Sequence, residues 1–187
     1  MIRTSSALLL ALWPALAFAR SAFDRHYEAG QDAYHLGKLE EAQAAFSKAR
    51  DLEPDKPGPW RWLGRTARAR KEWEQCLEAA IQALRLSPRS RYAAEVRRDI
   101  EACRAGLGRP AYEGKLGAGQ GAIHVPLSPI YGDMRVAVDG IKRGAPPIVF
   151  PVNVGKHVVE MVSEKGSVPP VQVSVDVLPG IVHDVFP

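Results

Sequence analysis

Residues 23–56, FDRHYEAGQDAYHLGKLEEAQAAFSKARDLEPDK, and residues 57–90, PGPWRWLGRTARARKEWEQCLEAAIQALRLSPRS, carry one pattern at a fixed spacing of 34 residues. Gly30 aligns with Gly64, Ala42 with Cys76, Ala49 with Ala83, Leu52 with Leu86 and Pro54 with Pro88. A period of this length marks a repeat whose units bury their apolar faces on one another. Each unit reads as two helices: His26–Gly37 and Leu39–Leu52, then Trp60–Lys71 and Trp73–Leu86. Ala42, Ala45, Phe46 and Ala49 fall on one helical face. Pro54, Pro57 and Pro88 close the units, because proline cannot continue a helix. Small residues allow paired helices to approach, so Gly30 is expected to cross Ala42, and Gly64 to cross Cys76.

These residues resemble the tetratricopeptide repeat. Gly30, Ala42, Phe46, Ala49 and Pro54 carry the likeness in the first unit, and Trp60, Leu63, Gly64, Ala83 and Pro88 in the second. The pattern departs from the family at Ala80, usually aromatic, and at His26, usually Trp. A third helix, Ser90–Ala105, with Ser90 as its N-cap, reads as the terminal cap that two repeats require. Cys76 lies 12 residues before Pro88 and Cys103 lies 15 after it. An antiparallel helix pair brings them to nearly the same height, either as a disulfide or as two buried thiols.

Six glycines between 106 and 121 read as a flexible boundary. Beyond it the apolar period changes from 3.6 to 2. Alternating segments at 122–127, 134–138, 158–162, 171–177 and 181–186 are separated by turn signals, among them Asp139-Gly140 and Pro179-Gly180. Short strands with no helix between them predict a small antiparallel sandwich or barrel. The chain is therefore expected to be a two-domain α+β protein: helical repeats over 20–105, a linker over 106–121 and a β-sandwich over 122–187. The second half resembles the PEGA domain through Val136-Ala137-Val138-Asp139-Gly140, Gly144-Ala145-Pro146-Pro147, Gly155-Lys156-His157-Val158-Val159 and Gly166. At the family's namesake tetrad it reads Pro129-Ile130-Tyr131-Gly132 instead. The resemblance implies an appended, non-catalytic module of envelope and surface proteins.

At the other end, Arg3 precedes the uncharged stretch Ala7–Ala19, which finishes in Ala17-Phe18-Ala19. Thirteen apolar residues are too few to span a bilayer but suit a signal peptide cleaved after Ala19, leaving Arg20 first. No cysteine follows to carry a lipid. The mature chain is expected in the periplasm or cell envelope, without a membrane span.

The formal charge of +4 is too mild to argue for nucleic acid, and it is not spread evenly. Residues 20–56 carry net −2, residues 57–111 net +6 and residues 112–187 net −1. Arg61, Arg65 and Arg68 share one face of the second unit's first helix. Tyr27, Gln31 and Tyr34 occupy the matching face of the first unit, and Tyr92 and Glu95 that of the cap helix. In tetratricopeptide proteins the corresponding face is concave and binds ligands. Guanidinium groups beside tyrosines suit a carboxylate; the alternative is a solvated charged face. His26, His35, His124, His157 and His183 form no ligand motif, although the last three lie in the sandwich and could converge. No phosphate loop, nucleophile elbow or paired acid–base residues occur, so neither enzyme activity, cofactor nor metal is expected. The expected function is a non-catalytic adaptor of the bacterial envelope holding a peptide or acidic protein. The alternative is a structural module attaching to cell-wall or surface polymer through its sandwich.

Overall fold

A computed structural model describes residues 20–128 and 133–186. Residues 1–19, where a signal peptide is expected, and the tetrad Pro129–Gly132 lie outside the described residues. Among the described residues the fold is two-domain α+β: five helices of TPR-like hairpin repeat followed by a small β-sandwich.

Helix α1 runs Ala22–His35, α2 Leu39–Leu52, α3 Pro57–Ala69, α4 Trp73–Leu86 and α5 Ala93–Gly106. The bounds of α2 and α4 match the sequence reading. Helix α1 starts earlier than expected, because the Ser21 side chain accepts a hydrogen bond from the Asp24 N–H and caps the helix there. Pro57 opens α3 rather than closing the preceding unit; proline suits a first turn, where its missing N–H would have no partner. Ser90 is not the N-cap of α5. That helix begins at Ala93, whose N–H bonds the backbone carbonyl of Ser90 at 3.0 Å.

The close approaches differ between the two units. A Cβ on Gly30 would lie 2.6 Å from the Phe46 ring, so the nearest neighbour at this crossing is a residue the sequence reading does not place there. At Gly64 the neighbours are Cys76 at 3.5 Å, as expected, and Ala80 at 3.3 Å. Ala80 stands where the first unit has Phe46, so the second hairpin closes on backbone instead of on a ring. Trp62 joins the units. It is buried, stacks on Phe46 at 5.5 Å and donates its indole N–H to the Tyr27 hydroxyl at 3.0 Å. Cys76 and Cys103 form a disulfide between α4 and α5, with Cα atoms 5.9 Å apart. A bond closing a loop of this length contributes about 3.5 kcal/mol in the chain-entropy account.

The β half forms two sheets. Strands β1 (Gln120–Val125), β4 (Ile148–Asn153) and β7 (Val182–Asp184) make one, in the order β4-β1-β7. Strands β2 (Met134–Val138), β3 (Ile141–Gly144), β5 (Gly155–Ser163) and β6 (Val171–Val177) make the other, in the order β3-β2-β5-β6. Every pairing is antiparallel except β1 with β7. Ile123, Val125, Val136, Val138, Phe150, Val159 and Met161 fill the space between the sheets. Strands β3 and β4 were not expected from the sequence. Asp139 and Gly140, both at positive φ, make the tight turn between β2 and β3.

The two halves share a core. Leu178 and Ile181, between β6 and β7, pack with Leu84, Val96, Ile100 and Cys103 of the helices. The glycines at the ends of the expected linker are packing positions. A Cβ on Gly106 would meet the Trp73 ring at 2.3 Å, and one on Gly121 would meet the Leu178 carbonyl at 2.4 Å. Beside this apolar contact, Asp184 of β7 is nearly inaccessible and receives Arg104 of α5, Arg109 at 3.1 Å and His124 of β1 at 2.7 Å. Arg104 also donates to the carbonyls of Val182 at 3.1 Å and Pro110 at 2.9 Å. Burial opposes ionisation of Asp184, yet the His124 hydrogen bond and the two guanidinium groups hold its carboxyl below the ordinary value. The same burial lowers Arg104.

Candidate binding groove

The first helices of both repeats and the cap helix enclose a groove of about 400 Å³. Tyr27, Gln31, Arg61 and Tyr92, all named from the sequence, line it. Their common exposure follows from helix geometry, which places residues three and four apart on one face of each helix. Pro57, Gly58, Ala83, Ser90 and Val96 complete the walls. Gly58 has a steric reason to be there: a Cβ would come within 3.0 Å of the Tyr27 hydroxyl.

The guanidinium of Arg61 lies over the Tyr92 ring, 3.7 Å from its centroid. Such stacking restrains the side chain and leaves its N–H edges free. Among the described residues, Arg61 pairs with no carboxylate.

The other two arginines do not join it. Arg65 pairs with Glu95 and lies 3.8 Å from Asp99, and Arg68 donates to Asp99 at 2.6 Å. These contacts tie α3 to α5, so Arg65 and Arg68 belong to a helix–helix ion cluster. The expected face of three free guanidinium groups is thus one free guanidinium and two engaged ones. Glu95, placed in the groove by sequence reasoning, is the partner of Arg65. Burial raises the Asp99 carboxyl above its ordinary value despite the pull of Arg68 and Arg65. Asp99 was missed, although it follows Glu95 by four residues on the same helical face. Tyr34 packs on Trp62 at 5.1 Å and does not line the groove.

The three sandwich histidines do not converge. His124 contacts Asp184, while His183 Nε2 accepts the Leu178 N–H at 2.9 Å. His157 contacts Asp139 at 2.6 Å and the Asn153 carbonyl at 2.8 Å, bridging two turns. With an acceptor at each nitrogen its imidazolium is favoured; the Asp139 hydrogen bond raises its pKa.

No protein-family model matches the sequence, and no curated protein matches it. Among solved structures, the chain is similar to SycD, the type III secretion translocator chaperone of Yersinia enterocolitica. The identity is 16% and the TM-score 0.38, over 49% of this chain and 75% of that one. Among the described residues, no helix is long and apolar enough to cross a membrane.

Proposed function

We propose that this protein is a non-catalytic binding protein of the bacterial cell envelope, and that its helical half holds a carboxylate-bearing peptide or protein segment between α1, α3 and α5. Arg61 carries the reading. It is the guanidinium that lines the groove, stacked on Tyr92 and without a carboxylate partner among the described residues. A ligand carboxylate would take its free edge in a fork of two hydrogen bonds, and the rings of Tyr27 and Tyr92 would flank the adjoining chain. Export rests on residues 1–19 and the PEGA-like reading of the β half on its sequence motifs.

The test is site-specific crosslinking in cells, with a photoreactive residue at Gln31. A defined envelope partner should be captured, and Arg61→Ala should reduce capture about tenfold or more, with the loss mimicked by added salt. Wild-type capture by the Arg61→Ala protein would remove the groove from the reading. Recovery of the chain in the cytoplasm would remove the envelope.

A further inference from the structure

A β-sheet edge offers unpaired N–H and C=O groups, and proteins blunt their edges with short strands, proline, basic residues or bulges. Three of the four edges among the described residues are blunted. Strand β7 has three residues, and β4 carries Pro151. Strand β3 has four residues including Lys142 and Arg143, and its pairing with β2 is irregular at Val136/Ala137. Strand β6 has none of these features. It runs seven residues, VQVSVDV, in unbroken register with β5 and contains a single charge.

The hydrogen-bonding direction of β6 follows from its neighbour. The Val158 carbonyl accepts from Asp139 N–H at 3.0 Å, and the Val158 N–H donates to the Asp139 side chain at 2.9 Å. Both groups of Val158 therefore point toward β2. Val158 is opposite Ser174, and hydrogen-bonding direction alternates along an antiparallel ladder. The backbone groups of Gln172, Ser174 and Asp176 consequently point out of the sheet edge.

We propose that β6 is a self-association edge, pairing antiparallel with β6 of a second copy about a two-fold axis at Ser174. The sequence is self-complementary in that register. Val171 faces Val177 of the other copy, Gln172 faces Asp176, Val173 faces Val175 and Ser174 faces itself. No like charges meet: Asp176, whose carboxylate lies 3.9 Å from Arg85 of α4, faces Gln172, whose amide donates to Glu160 at 2.8 Å within its own sheet. Six backbone hydrogen bonds form, two for each outward-pointing pair. Val171, Val173 and Val175 lie on the core side yet are only partly buried, and a neighbouring strand would cover them. The result is one continuous sheet of eight strands. A second copy fits this edge better than an unrelated extended segment because its side chains match in sequence as well as in backbone.

The test uses the full mature chain. Sedimentation should show a monomer–dimer equilibrium below roughly 200 μM. Ser174→Pro removes two of the six bonds without touching the β5 ladder, and should weaken association about thirtyfold. Ser174→Lys should also dissociate the dimer, by placing like charges opposite one another. Ser174→Cys should crosslink under mild oxidation, because Cα atoms of a directly hydrogen-bonded pair lie about 5.5 Å apart. Gln172→Cys should not, since its two copies are about 14 Å out of register. The joined native cysteines supply no competing thiol. A monomer at every concentration, or a dimer indifferent to both Ser174→Pro and Ser174→Lys, overturns the proposal. Equal crosslinking at 172 and 174 overturns the register. Binding of an extended peptide along β6 by a strictly monomeric chain would assign the edge to another partner.

Discussion

His183 shows how a single buried ring can set acid stability. Burial, reinforced by Arg85 and Arg104, lowers its pKa from 6.5 to about 4, and the neutral ring accepts the Leu178 N–H. The unfolded chain takes up this proton near 6.5 and the folded chain only near 4, so acidification between those values favours unfolding. The contribution is complete above 6.5 and falls by about 3 kcal/mol across the interval. His157 acts in the opposite sense. Its raised pKa gives a contribution that is complete below 6.5 and is lost as the pH rises through the raised value. Urea unfolding should therefore show a marked drop in midpoint from pH 7 to pH 4.5. His183→Asn should be less stable than the wild type at pH 7 and lose most of that drop. An unchanged pH dependence in the variant would assign the acid sensitivity to carboxylates such as Asp184. None of this was readable from spacing. The sequence places His183 on a strand, but the backbone N–H it accepts comes from the turn that the same chain makes five residues earlier.

The helices were the legible elements. Their apolar period, the glycine at each crossing and the repeat itself are local signals, and two of the five helix bounds coincide with the reading. The missed strands β3 and β4 have local signals of the wrong kind. Lys142-Arg143 and Pro146-Pro147 read as loop, and Pro151 is tolerated in a strand because β4 is an edge. The candidate groove was half legible for the same reason. Helical spacing put Arg61, Arg65 and Arg68 on one face, but Asp99, which engages Arg68, lies 31 residues farther along the chain. The two glycine crossings predict different responses to one added methyl. Gly30→Ala drives a Cβ into the Phe46 ring, fully buried against Trp62, and should cost about 1–3 kcal/mol. Gly64→Ala meets the Ala80 backbone nitrogen at 3.3 Å, and that crowding is offset by a helix-propensity gain of about 1 kcal/mol. Thermal unfolding should show a clear loss for the first and little change for the second. Equal losses would mean that the Phe46 ring yields as readily as the backbone at Gly64.

At the scale of the whole molecule, the glycine-rich segment reads as a flexible boundary, and the structure joins its two sides through a shared core. Leu178, Ile181 and Asp184 lie about 75 residues or more beyond the helical partners they meet, so no window of sequence reveals the contact. The coupling is measurable because every tryptophan among the described residues, Trp60, Trp62 and Trp73, sits in the helical half. Asp184→Ala changes the β half alone and leaves Arg104 buried without its carboxylate, at a cost of about 3–5 kcal/mol. Tryptophan fluorescence should report that loss as a lower denaturation midpoint for the helices. An unchanged midpoint would make the halves independent folding units. The shared core also has a temporal side. Residues 178–184 follow, along the chain, every helix of the described residues, and β7 must find β1 some sixty residues behind it. Both steps close long loops, which is slow relative to local helix formation. The repeat stack can therefore form its hairpins early but must wait for the last strand to be sealed, and its apolar flank at Ile100 and Cys103 stays open to solvent or to a chaperone throughout that interval.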